Sequence, residues 1–270
     1  MHKLRSGLNA NTKKHLMLGE GAIFKNFVVG TDTYESAKAA GKLLGACQGG
    51  STFTVTAQVR EISVDGIPGQ VADLEEIDRW DVSLQTTFLE VTADTLKAAL
   101  GAATSTHADG YTKIEGRTDF VSADYVQNIT FVGSMSGSEA PIILQVKNAI
   151  GNGALSLNVQ NGAEATVPCT FNGRYTIDTL SAPPFAIYYP DIMQASTYNV
   201  TVKDNATSTV IVTGYDTSIT ATSANTSIAT ASVSGGTITI TGEGVGTTTI
   251  TVTDAASPAN TLTINVTVTE

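Results

Sequence analysis

The sequence predicts a mainly-β chain of two domains: an N-terminal β-barrel or β-sandwich with one flanking α-helix over residues 1–190, and a C-terminal β-sandwich over residues 197–270. Three observations carry this. Apolar and polar residues alternate with period two through much of 49–92, the mark of strands with one dry and one wet face. One stretch, Thr92 to Gly101, joins helix-capping chemistry to an apolar helical face. Near residue 190 the composition changes, with threonine, valine and isoleucine dominating from Thr197 onward while lysine almost vanishes. At 270 residues the chain is long enough for two domains, the larger burying roughly 70 % of its unfolded surface.

Taken in order, residues 1–15 are polar and read as a flexible arm, and Leu16 to Val29 as a short strand region broken by Gly19 and Gly21. From Asp32 to Leu44 the signals conflict. Asp32 and Thr33 are competent caps and Ala37, Ala40 and Leu44 share a helical face, yet Gly41 and Gly45 limit it, so a loop with some helical turn is expected. The stretch Gly49 to Thr92 organises the rest. Phe53, Val55, Ala57 and Val59 alternate with Thr54, Thr56, Gln58 and Arg60, and a second strand from Trp80 turns Val82, Leu84 and Phe88 inward and Asp81, Ser83, Gln85 and Thr87 outward. After Arg60-Glu61 the parity slips to Ile62 and Val64, which requires a bulge or a bend. Asp65-Gly66, Pro68-Gly69 and the acidic run Asp73 to Asp78 read as the connecting loop.

Thr92 caps the expected helix, Asp94 lies in its first turn, and Leu96, Ala99 and Leu100 form a face that ends at Gly101. Residues 101–119 read as loop. Strands follow at Tyr125–Val132, Ile142–Val146, Leu155–Gln160 and Thr166–Phe171, with Asn161-Gly162 as a hairpin turn and Pro168 demanding an edge or a bulge. Asp191–Ser196 reads as a linker. Beyond it, about seven short strands in about 70 residues argue for a small sandwich: Asn199–Val202, Thr209–Val212, Ser218–Thr222, Ile228–Val233, Thr237–Thr241, Thr247–Thr253 and Leu262–Val268.

The stretch GACQGGSTFTVTAQVREISVDGIPGQV resembles the corresponding part of the major tail (tube) proteins of long-tailed phages, with Gly45, Gly49-Gly50, Arg60-Glu61, Asp65-Gly66 and Gly69 at matching places. LMLGEGAIFKNF at 16–27, the segment from Val91-Thr92 to Leu100, VPCTFNGRY and PPFAIYY extend the resemblance to residue 189. The segment SANTSIATASVSGGTITITGEGVGTTTITVT at 223–253 resembles the group 2 bacterial Ig-like domains, through Ser223, Asn225, Ile228-Ala229, Val233, Gly235-Gly236, Gly242 and Gly246-Thr247 to Thr253. The first resemblance implies a β-barrel or sandwich with a flanking helix, six copies of which form a ring whose inner strands pair across subunits. Rings stack into a conduit for DNA in the virion tail, built from chains made in the host bacterial cytoplasm. The implied partners are further copies of the chain and other tail proteins; DNA passes without specific binding. The second implies an Ig-like sandwich, displayed outside the tube because six copies would block the channel, with host-surface glycans as a candidate ligand. On this reading the polar parity of the central strands, Thr54, Thr56, Gln58, Asp81, Ser83, Gln85 and Thr87, faces the lumen. The loop from Asp65 to Ile77 and the arm from Met1 to Lys14 then contact stacked rings.

Charge and motifs narrow the alternatives. The formal net charge is −10 with only 15 Lys plus Arg, and an acidic chain without a basic cluster is a poor ligand for phosphates. No apolar run reaches the ~18 residues of a membrane span, and the N-terminus has no apolar core of a secretory signal. Cys47 and Cys169 lack zinc or CxxC spacing and are expected to be unpaired thiols. His2, His15 and His107 are scattered and no hydrolase, metalloprotease or P-loop pattern is present, so no catalytic, cofactor or metal residue is expected. Gly242, Gly244 and Gly246 read as a hairpin turn and the Asp73–Asp81 carboxylates as a solvated face. The competing class is a cell-surface or carbohydrate-binding adhesion protein that uses its Ig-like domain.

Overall fold

The computed structural model describes residues 12–17, 21–66, 69, 71–157, 159, 161–162, 164–255 and 260–270. The chain is mainly β and divides into two compact units. One comprises Glu20–Gly133 and Ile143–Tyr188; the other comprises Tyr189–Glu270, Ser134–Ile142 and, within Met1–Gly19, the described residues 12–17.

The first unit is built from β1 (Gly21–Lys25), α1 (Tyr34–Ala39), β2 (Leu43–Gly45), β3 (Cys47–Glu61), β4 (Glu75–Phe88), α2 (Ala93–Leu100), β5 (Ala103–Ala108), β6 (Tyr111–Gly116), β7 (Val126–Met135), β8 (Ser138–Gly151), β9 (Val167–Asn172) and β10 (Phe185–Tyr188). Its main sheet runs β2-β1-β7-β8-β9-β4-β3, with β10 added along β8. Strand β8 turns the sheet's corner. Ile143 to Val146 pair with β10, Ile150 and Gly151 pair with β9, and between them Asn148 takes a left-handed φ of 46°. A strand bent in this way passes from one layer to the next and folds the sheet over its own core. Ile23, Leu84, Phe88, Ile129, Val146, Val167 and Phe171 fill that core with Ala99 of α2. A smaller cluster of Phe24, Phe27, Ala37, Val132 and Ile143 holds α1.

Both helices start in capping boxes. Thr92 accepts from the backbone N–H of Thr95 while the Thr95 hydroxyl reaches back to the Thr92 N–H, and α2 ends at Gly101 with φ 71°, as its sequence predicts. Thr33 and Ser36 form the same box for α1, so the expected helical turn is a six-residue helix capped by Thr33. Other expectations fail for identifiable reasons. Residues 103–116, read as loop, form the β5–β6 hairpin; Asp109 and Gly110 both take positive φ, 54° and 78°, the requirement of a two-residue turn matched to strand twist. Residues 155–157 lie outside any strand; Asn161-Gly162 is a turn without the expected hairpin before it, and residues 158 and 160 lie outside the described residues. Pro168 pairs with Thr87 of β4 at a point where β8 does not flank β9, the edge-like position its missing N–H requires. Of the N-terminal arm, residues 12–15 form a 3-10 turn and residues 1–11 lie outside the described residues.

The second unit contains a two-sheet sandwich formed by β11 (Gln194–Ala195), β12 (Asn199–Lys203), β13 (Thr207–Thr213), β14 (Ile219–Ser223), β15 (Ala229–Ser234), β16 (Thr237–Gly242), β17 (Gly246–Asp254) and β18 (Thr261–Thr269). One sheet is ordered β11-β13-β16-β15 and the other β12-β18-β17-β14. All seven expected strands are present. Alternate residues Val210, Val212, Ile238, Ile240, Ile250, Val252, Ile264, Val266 and Val268 pack between the sheets without a disulfide or tryptophan. Residues 191–196, read as a linker, are part of the fold: Ile192 and Met193 are buried, and Gln194 and Ala195 pair with β13. Gly242 to Gly246 connects β16 in one sheet to β17 in the other, so it is an inter-sheet crossing rather than a hairpin. Ser134–Ile142, the turn region of β7 and β8, also belongs here, where the Ser138 hydroxyl donates to Asn260 Oδ1 at 2.9 Å.

Candidate assembly surface

The β3–β4 hairpin is the longest paired element of the first unit, and its two faces differ in chemistry. On one face Phe53, Val55 and Trp80 pack against the core while Val82, Leu84 and Phe88 are buried within it. Trp80 is fixed at both ends: its backbone N–H donates to the Tyr175 hydroxyl at 2.8 Å, and its ring meets Phe185 at 5.4 Å and 60°. Thr86 also faces inward. It is buried and satisfied by the Ser51 hydroxyl at 3.0 Å, a polar residue on the inward parity of Leu84 and Phe88.

The opposite face carries all seven residues expected to share one parity. Register places Thr54 beside Ser83, Thr56 beside Asp81, and Thr52 beside Gln85, and β9 continues the rows with Asn172 beside Ser83 and Thr170 beside Gln85. Thr54, Thr56, Asp81 and Gln85 are exposed, while Gln58, Ser83 and Thr87 are half-buried. The face extends further than the sequence indicated, because β4 begins at Glu75 and not at Trp80. Gln58 pairs with Arg79, and Arg60 with Glu76. The parity slip also lies elsewhere. Gln58 opposes Arg79 but Val59 opposes Ile77, so Asp78 is the extra residue and the bulge is on β4. This inserted residue keeps Ile77 on the apolar face with Val59, and a second irregularity at Gly49 and Gly50, both at positive φ, releases β3 near Cys47.

Arg60 and Arg79, exposed on the polar face, are each paired with carboxylates. Arg60 donates through Nε to Asp78 Oδ1 at 3.2 Å and through Nη2 to Glu76. Arg79 Nε donates to Asp81 Oδ1 at 3.1 Å, and Gln58 Nε2 donates to Asp81 Oδ2 at 2.9 Å. The Arg79 hydrogen bond, aided by Gln58 and by the fields of Arg79 and Arg174, holds the Asp81 carboxyl below the usual carboxylate range. Sequence reasoning missed Glu76, Asp78 and Arg79 because an acid-rich run reads as loop; the even parity of Arg60, opposite a carboxylate, was the available signal.

The sheet containing this face is open. Strand β3 has β4 on one side and, among the described residues, no strand on the other; β2 is the opposite end of the order. From Val59 onward, toward the loop end of the hairpin, the apolar face runs out beyond the core, leaving Val59, Ile62, Val64 and Ile77 exposed. Among the described residues no group of three His, Cys, Asp or Glu side chains is placed to hold a metal. His15 instead meets the Tyr189 hydroxyl at 2.9 Å and His107 sits 3.4 Å from Thr112 Oγ1. Among the described residues no helix is long and apolar enough to cross a membrane.

No protein-family model matches the chain, and no curated protein matches it. Among solved structures, domains 4 and 5 of the S-layer protein SbsC are similar to it with a TM-score of 0.27 and 18 % identity, over 52 % of this chain and 71 % of that one. A likeness of that size carries no argument about architecture or role.

Proposed function

We propose that the chain is a structural subunit of a phage tail tube, in which six copies close into a ring and the rings stack into a channel for DNA. The observation that carries this reading is the free edge of β3 alongside a continuous polar face. A long unpaired edge is a template for another chain, and proteins that are not meant to polymerise shorten, cover or charge it. Here the edge extends over Cys47–Glu61. Pairing it with a different edge of the next copy is a heterologous contact, which either closes into a ring or grows as a filament. Closure would turn the sheet's polar face to one side of a cylinder, with Thr54, Thr56, Gln58, Asp81, Ser83, Gln85 and Thr87 lining the channel, and the resemblance of residues 16–189 to tail tube proteins supports that choice. On the same reading the second unit is an Ig-like domain on the outside of the tube, where host-surface glycans are its candidate partners.

Negative-stain microscopy and light scattering of concentrated protein test the proposal. Rings with a central channel, and short tubes formed by stacking, are the expected species. A sample that stays monomeric at every concentration, including after incubation with a tail initiator complex, overturns it.

A further inference from the structure

We infer that Glu76, Asp78 and Asp81 act as internal counter-ions that keep Arg60 and Arg79 from binding the phosphates of duplex DNA. The inference rests on the conduit reading above and adds to it a mechanism for passage.

A guanidinium presents a planar fork of donors that fits a phosphate as well as a carboxylate, so an exposed arginine on a wall facing DNA is a brake. Yet this face carries Arg60 and Arg79, both more than half exposed, besides Arg174, whose field reaches Asp81. Both are already engaged, Arg60 by two carboxylates and Arg79 by one. Stability is a weak reason for such an arrangement, since exposed ion pairs contribute only about 0–1 kcal/mol each. Masking is a stronger one. Glu76 stands directly across the ladder from Arg60, about 4.8 Å away in strand spacing, and a tethered carboxylate competes with a passing phosphate at a high effective concentration. The bulge serves the same end, because it places Asp78 as a second acceptor for Arg60 where a regular ladder has only one cross-strand partner. Gln58 completes the Asp81 clamp from the neighbouring strand, and the contacts that hold Asp81 also keep it ionised further into acid than a free carboxylate.

The test uses the full-length chain below its assembly concentration, with a fluorescent duplex DNA of random sequence as probe and binding read by anisotropy from 50 to 200 mM salt. The variant Glu76→Gln/Asp78→Asn/Asp81→Asn keeps side-chain shape and removes the counter-ions. It is expected to bind the duplex where the natural chain does not. If two arginines each take one phosphate, affinity falls about 12-fold across that salt range, from a slope of about −0.9 per phosphate neutralised. Adding Arg60→Gln and Arg79→Gln to the triple variant separates unmasking from loss of repulsion, with Arg174 present in both backgrounds. Return to the non-binding state supports the inference. Equal binding with and without the arginines, no gain in the triple variant, or binding already present in the natural chain each overturns it. Should the triple variant misfold, Asp81→Asn alone and Glu76→Gln/Asp78→Asn open one clamp at a time and are each expected to give a smaller gain. A failure of the conduit reading shows separately, as absence of rings in micrographs, while the binding comparison on the free chain still decides the masking claim.

Discussion

Cys169 and Gly151 illustrate how much single residues of the first unit are constrained. Burial, reinforced by the nearby Cys47, pushes the Cys169 thiol from its ordinary 9.0 up to about 12. The folded state therefore holds that proton more tightly than the unfolded chain. The corresponding stability is intact below about pH 9 and is lost as pH rises toward 12. At pH 8 a thiol reagent is expected to leave Cys169 unmodified in the native protein and to label it fully in denaturant; rapid native labelling would contradict its burial. Gly151 ends β8 beneath α2, where an added Cβ would lie 1.9 Å from the Ala98 carbonyl oxygen. Gly151→Ala is expected to cost about 1–3 kcal/mol because backbone must move to admit the methyl group, and urea denaturation measures it. Legibility in the sequence follows the same physics. The polar parity of Thr54 through Thr87 was readable because one face is dry and the other wet. Thr86 shares the inward parity of Leu84 and Phe88, but the Ser51 hydroxyl that satisfies it across the ladder is revealed only by the register.

Elements were legible where burial imposes a period. The strands of the sandwich and α2 follow the sequence nearly residue by residue, each having a full apolar face and clear end signals. The β5–β6 hairpin has neither face buried beyond Ala103, so its strands carry no alternation and only the Asp109-Gly110 turn marks it. The outer half of β3–β4 hides for a different reason. Its residues Glu75, Glu76 and Asp78 look like a loop until Arg60 lies across from them. This half also exposes Val59 (51 %) and Ile77 (54 %), apolar side chains without cover in the isolated chain. If stacked rings cover them, amide hydrogen exchange across 59–66 and 71–77 should slow on assembly, while the half nearer the core stays protected throughout. Unchanged exchange in the outer half would remove it from the contact between rings.

At the scale of the whole molecule, the division of the chain is less simple than its composition suggests. A boundary near residue 190 is visible in the sequence, but the structure groups Ser134–Ile142 and residues 12–17 with the C-terminal unit. Such grouping is invisible to periodicity because it rests on a few polar contacts distant in sequence, such as Ser138 to Asn260, Ser136 to the Lys13 carbonyl, and Lys14 to Tyr198. Ending the chain at Tyr189 removes the Asn260 acceptor of the Ser138 hydroxyl, which still accepts from the Ala140 N–H. The first unit keeps its own core of Phe24, Phe88 and Phe171. The shortened chain is therefore expected to melt cooperatively and, on the proposed function, to form rings. Circular dichroism and negative stain check both points. A folded, soluble, truncated chain that forms no rings would make the C-terminal unit part of the wall.

The pairing of β12 with β18 has a mechanical side. These strands run parallel, from Asn199 beside Asn265 to Lys203 beside Thr269. Tension that drags β12 toward its start and β18 toward its end acts along the ladder, so its hydrogen bonds are loaded in shear and must fail together. The antiparallel β17–β18 pair, pulled apart from its open end, would instead unzip one bond at a time. In single-molecule extension, handles at Thr197 and Glu270 should therefore register a distinctly higher rupture force than handles at Gly246 and Glu270. If the chain is a tail subunit as proposed, with this domain on the outside, bending of the tail would load it along just such lines, and a sandwich that resists shear would keep its shape under that load.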